Sequence, residues 1–173
     1  MKYKVGQILN FKWYDGLFGK AIRYYNNLIY KEDGFTHTAI IIDVKDEFYV
    51  IAEAIGSGFT ISDYEGWWVE GKVKEGKISV GTAKKDLVAV KSLAEKYKGT
   101  RYGYLWLPLI FIFGKKALWI TDGTKSLICS EAIARLLYDA SDRQIDFSKE
   151  FKKPYDFITP QDLYISKQIK WEN

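Results

Sequence analysis

One thiol, one imidazole and a nearby carboxylate are the residues of this chain whose types and spacing could do chemistry: Cys129, His37 and Glu53. The sequence contains a single Cys and a single His. Cys129 lies in Ser126-Leu127-Ile128-Cys129-Ser130-Glu131, where helical spacing predicts a helix over Leu127–Ala140 with Ser126 or Thr124 as its cap. In a first helical turn, unpaired N–H groups and the helix dipole favour thiolate over thiol, and the thiolate is the nucleophile. The same N–H groups can hold the oxyanion of a tetrahedral intermediate. The plainer reading of Cys129 is a small buried hydrophobe on the inner face of that helix.

His37 falls in a short β-branched segment, Thr36–Ile42, and Phe48–Ile55 reads as the next strand, with Asp43–Glu47 as a five-residue hairpin loop. That loop pairs Ile42 with Phe48 and sets His37 directly opposite Glu53, with Cβ atoms about 4.5–5.5 Å apart on one face. A carboxylate there accepts one imidazole N–H, fixes the tautomer and leaves the other ring nitrogen as a base. A bulge or slip would break this pairing. Taken singly, His37 reads as structural and Glu53 as a solvated acid in an acid-rich stretch.

The elements that must position these groups follow from periodicity. Strands are expected over Gln7–Lys12, Phe59–Ser62 and Lys77–Val80. Helices are expected over Asp15–Tyr30, over Ala83–Lys98 with Thr82 as cap and Gly99 as stop, and from Pro160 after Thr159. Two long helices and several short hairpin-connected strands predict an α+β fold with an antiparallel sheet.

Length and composition narrow the classes. The chain has 173 residues, 47% hydrophobic and 28% charged, which suits one globular domain spanning 1–173. One Cys forms no internal disulfide, and one Cys with one His builds no zinc cage, so no metal and no cofactor are expected. The net charge of +4 is patchy: residues 41–70 are acid-rich, whereas 1–31 and 71–101 are basic. No nucleic-acid reader motif accompanies the basic stretches. Met1–Gln7 lacks an apolar signal region, and the longest apolar run, Leu105–Phe113, contains Pro108 and falls short of the roughly 20 residues of a membrane span. A cytoplasmic protein as synthesised, released by lysis or delivered, is the expectation.

Six segments, in order, resemble the permuted NlpC/P60 (YiiX-like) branch of papain-like cysteine hydrolases. They are Gly6–Phe11, Thr36–Ile42, Ile51–Ala54, Gly99–Tyr104, Leu127–Ala132 and Thr159–Tyr164. His precedes Cys here, as in that branch and opposite to papain. The resemblance implies a papain-like fold, the Cys-bearing helix packed on an antiparallel sheet that carries the His. It implies Cys129 as nucleophile, His37 as base and acid, Glu53 as its orienter and Tyr102 as an oxyanion or substrate contact. It further implies amide cleavage through a thioacyl-enzyme, with peptidoglycan stem peptides as a substrate class. A lipid acyl hydrolase or acyltransferase is the alternative, and a binding module with an inert Cys a third reading.

The chain departs from the family pattern at an apolar insert, about 105–120. It reads as extra core or a dimer surface, or else as a wall for an acyl chain or a membrane-surface contact through Leu105–Phe113 beside Lys115 and Lys116. Trp67-Trp68 reads as core or as the rim of a cleft. A small peptide-like or acyl substrate is the expected partner.

Overall fold

β-branched and aromatic residues are frequent in the first half of the chain, which supplies five strands of a six-stranded antiparallel sheet; the sixth comes from its C-terminal end. The computed structural model describes residues 1–12, 17–31, 34–103 and 125–172. Strands β1 (Ile8–Phe11), β2 (His37–Lys45), β3 (Phe48–Ile55), β4 (Gly58–Glu65), β5 (Ile78–Ala83) and β8 (Ile169–Glu172) stand in the order β4-β3-β2-β1-β5-β8. A second, two-stranded parallel pair joins β6 (Arg101–Tyr102) to β7 (Ser126–Leu127). The helices are α1 (Leu17–Tyr30), α2 (Gly66–Lys74), α3 (Val90–Tyr97), α4 (Cys129–Ala140), α5 (Phe147–Phe151) and α6 (Pro160–Ile165). The architecture is mixed α+β, as the element pattern predicts.

The central strands are buried on both sides, so they read as continuous apolar runs rather than alternating ones. In β2, Ile40 and Ile42 belong to the larger core, which α3 and α4 cover with Val90, Ala94, Ile133, Leu136 and Leu137. Ala39 and Ile41 point the other way, into a smaller core with Leu9, Ile51 and Val69 of α2. The catalytic candidates therefore lie in a layered frame: α4 on one face, α2 on the other, and β2 and β3 between.

Four expectations are corrected. The β2–β3 hairpin has no five-residue loop: β2 runs to Lys45, the turn is Asp46-Glu47, and a bulge at Ile42 shifts the ladder. Consequently Glu53 pairs with Ala39, not with His37. The helix expected over Ala83–Lys98 is only Val90–Tyr97, because Thr82 and Ala83 pair with Lys170 and Ile169 in β8. This strand pairing is non-local and overrides the helical periodicity. Helix α4 begins at Cys129 after an extended Ile128, whose apolar side chain makes no cap; Ser126 and Leu127 form β7 instead, and Thr124 lies outside the described residues. Trp67 and Trp68 start α2, where Trp67 is 72% exposed and Trp68 packs on the smaller core.

Gly58 has a constrained role. Its φ is +114°, and a Cβ there would stand 2.5 Å from the Thr100 carbonyl oxygen. That carbonyl accepts from Phe59 N at 2.8 Å, which brings the β6 segment against β4. The apolar insert at 105–120, with Lys115 and Lys116, lies outside the described residues. Among the described residues, no helix is long and apolar enough to cross a membrane.

Candidate active site

His37 is the first residue of β2, so its ring sits at the end of the sheet rather than within it. Side chains two apart on a strand share a face, which puts His37 with Ala39 and Ile41 on the α2 side. Glu53 faces that same side, opposite Ala39, and is therefore the diagonal neighbour of His37. The diagonal spans easily: His37 Nε2 and Glu53 Oε2 are 2.6 Å apart. The carboxylate can only accept, so Nε2 carries the proton and Nδ1 is the nitrogen left to serve the thiol. Phe11, paired with His37 from β1, lays its ring against the imidazole at 5.3 Å and 53°.

Cys129 reaches the same point from the other layer. It is the first residue of α4, and its thiol is hydrogen-bonded to the His37 ring and to the backbone N–H groups of Thr38 and Ser130. Cys129 is 2% exposed, His37 4% and Glu53 3%. The chain's single thiol and single imidazole thus meet in a buried contact, with the carboxylate behind the imidazole.

The charges reinforce one another. Burial pushes the Cys129 thiol up, but the His37 charge and hydrogen bond, with the two N–H groups, hold it below the ordinary range. Burial alone would lower His37; the Cys129 thiolate and the hydrogen bonds to Cys129 and Glu53 outweigh it and raise the imidazole to about 10. Burial also acts to raise Glu53, and the bonds from His37 and Tyr64 reverse that, keeping it below the usual carboxylate range. Both shifts act in the direction that favours a thiolate–imidazolium pair.

Several residues that sequence reading did not single out fix this geometry. Ser130 Oγ donates to Ile158 O at 2.6 Å, and Asn10 Nδ2 donates to Pro160 O at 2.9 Å. The Thr38 hydroxyl donates to Asn10 Oδ1. Together they tie the start of α4, the 158–160 segment and strands β1 and β2 into one buried polar network. Helix α6 starts with Pro160 at its first turn, as the Thr-Pro-Gln-Asp pattern predicts, and Thr159 and Asp162 close a reciprocal cap on it. Tyr64 contributes a hydroxyl to Glu53 at 2.5 Å; its signal in the sequence is only its shared parity across β3 and β4.

Tyr102 belongs to the short β6 strand. It pairs with Leu127 in the β6–β7 ladder, two residues before the thiol, and its half-buried ring packs against the larger core. No group of three or more His, Cys, Asp or Glu side chains able to hold a metal occurs among the described residues. In comparisons with known proteins, no family model matches the chain and no curated protein matches it.

Proposed function

We propose that the protein is a cysteine hydrolase of papain-like type that cleaves an amide through a Cys129–His37–Glu53 triad. The observation that carries this reading is the buried contact itself: the single Cys, at a helix N-terminus, bonds the single His, which Glu53 holds at 2.6 Å. Cys129 Sγ attacks the carbonyl carbon, and N–H groups of the first turn of α4 stabilise the resulting oxyanion. The imidazolium then gives its proton to the departing amine, leaving a thioester and neutral His37. Water adds to the thioester after losing a proton to His37, and the carboxylic acid leaves as the thiolate is regenerated. Tyr102 is a candidate substrate contact by resemblance.

The resemblance to permuted NlpC/P60 proteins points the amide towards peptidoglycan stem peptides. An acyl lipid is the second reading, favoured by the apolar sequence Leu105–Phe113, which lies in the chain between β6 and β7.

The test is the pH dependence of Cys129 alkylation by iodoacetamide in wild type and His37→Ala. The thiol is buried, so the midpoint of the profile, not the absolute rate, is the readout. Wild type is expected to titrate well below the roughly 8.5 of a free thiol, and the variant near or above it. Equal midpoints in the two proteins would reject the triad. A wild-type protein that passes is then offered a stem-peptide amide and a phospholipid, and the bond it opens decides between the two substrates.

A further inference from the structure

Both oxygens of the Glu53 carboxylate are occupied, and His37 takes only one of them. Oε2 meets the imidazole at 2.6 Å, while Oε1 accepts from the Tyr64 hydroxyl at 2.5 Å. Tyr64 is not the cross-strand neighbour of Glu53. That place belongs to Thr60, whose buried hydroxyl has no hydrogen-bond partner among the described residues. Tyr64 stands opposite Tyr49, further along the same face of the β3–β4 ladder, and its phenol reaches back along the strands. Trp68 from α2 flanks that ring at 5.8 Å and 40°.

We propose that Tyr64 is a positioning residue of the site, holding Glu53 ionised and turned towards His37, with Trp68 holding the phenol in place. The proposal rests on the cysteine-hydrolase reading above.

A buried carboxylate with one donor has an alternative to staying charged: it can take the imidazole proton and become neutral. His37 would then be a neutral imidazole, whose remaining Nδ1 proton is far less acidic than the imidazolium's and poorly suited to pass to the departing amine. A hydrogen bond donated to the charged form disfavours that transfer, and one to each oxygen also stops the carboxylate from rotating. The titratable groups acting on Glu53 are His37 from β2 and Tyr64 from β4, with Cys129 of α4 acting through His37. From α2, the neighbouring Trp68 and Val69 carry no charge. The exposed Trp67 and half-buried Trp68 thus part company: Trp68 supports the site through Tyr64.

The experiment follows the ring nitrogens of His37 by 15N NMR against pH, which is unambiguous because the chain has one histidine. At acid pH the Nε2 resonance senses protonation of Glu53. In Tyr64→Phe the ring and its packing on Trp68 stay, and the acid midpoint is expected to rise by about one pH unit, the scale of a lost hydrogen bond to a carboxylate. Thr60→Val is expected to leave the midpoint in place. Trp68→Leu, which loosens the phenol without deleting it, is expected to move it in the same direction by less.

Glu53→Gln identifies the transition by abolishing it. A midpoint unmoved in both Tyr64→Phe and Trp68→Leu overturns the role of Tyr64, as does an equal shift in Thr60→Val. The parent reading fails separately: if Cys129→Ser leaves the alkaline titration of His37 unchanged, thiol and imidazole are not coupled, whatever Tyr64 does.

Discussion

Glu53 and Glu131 are both buried carboxylates, 3% and 0% exposed, and each contacts a basic side chain. Burial pushes both towards the neutral acid, yet they end in opposite states. Glu53 has a donor on each oxygen and, among the described residues, no second carboxylate raising it, and its carboxyl is held below the usual range. Glu131 accepts from Arg135 Nε at 2.8 Å and from Ile128 N at a long 3.4 Å, and it shares the guanidinium with Asp156, whose Oδ2 is 3.7 Å from Arg135 Nη2. Burial and then the Asp156 charge lift it to about 8, against the weaker pull of Arg135 and Ile128. Depth of burial is therefore not what separates the two; the sign and number of the neighbours is. The difference suits the proposed chemistry. Glu131 sits two residues from Cys129 in the first turn of α4, and a neutral acid there leaves the field of His37 on the thiolate unopposed.

Substitutions can break this contrast or sharpen it. The largest effect is expected from Glu53→Ala, which strands His37 in a buried site. Losing one partner of such a pair costs about 3–5 kcal/mol, to be read from urea unfolding near neutral pH. A loss no greater than that of a Glu131 variant would erase the distinction between the two acids. Arg135→Leu is expected to cost less, about 1–3 kcal/mol, and more at alkaline than at acid pH. Only when Glu131 ionises do two buried carboxylates face each other without their guanidinium. Equal losses across that range would mean that Glu131 is charged throughout.

The smallest effect at mildly acid pH belongs to Glu131→Gln, within about 1 kcal/mol of wild type. An unfolded glutamate releases its proton near pH 4.3 and folded Glu131 near 8, so between these values the folded state holds the extra proton. Its favourable contribution is complete below the unfolded value and is lost as pH rises towards 8. Thermal unfolding against pH should therefore fall less steeply in Glu131→Gln, with the variant gaining on wild type at alkaline pH. Parallel curves would refute the raised Glu131. Glu53 has the opposite sign: its contribution is intact above the unfolded carboxyl value and is lost as pH falls through its lowered folded one.

The hairpin shows how far sequence reading carries a site. A five-residue loop would set His37 opposite Glu53; the chain instead turns at Asp46-Glu47 and bulges at Ile42, so Ala39 takes that place. The contact survives because the register near His37 differs from the expected one by two residues, and a shift of two keeps every side chain on its face. An odd shift would have turned Glu53 away from the imidazole. Helix α3 went the other way. The apolar spacing after Thr82 is helical, but β8 arrives from the far end of the chain and claims Thr82 and Ala83 as strand.

By itself, the sequence determined the chemistry available and the short-range elements: one thiol, one imidazole, a hairpin with a carboxylate on the right face, and a Thr-Pro-Gln-Asp helix start. These depend on residue type and on local periods of two and 3.6, which a linear chain displays. Tertiary structure alone decided that α4 delivers Cys129 to His37 from across the sheet and that Tyr64, not Thr60, completes Glu53. It also decided that burial, and then the Asp156 charge, raise Glu131 above the usual carboxyl range. Each depends on a donor or a charge brought from a distant position, and the field at a buried carboxyl is summed over neighbours in space, not along the chain.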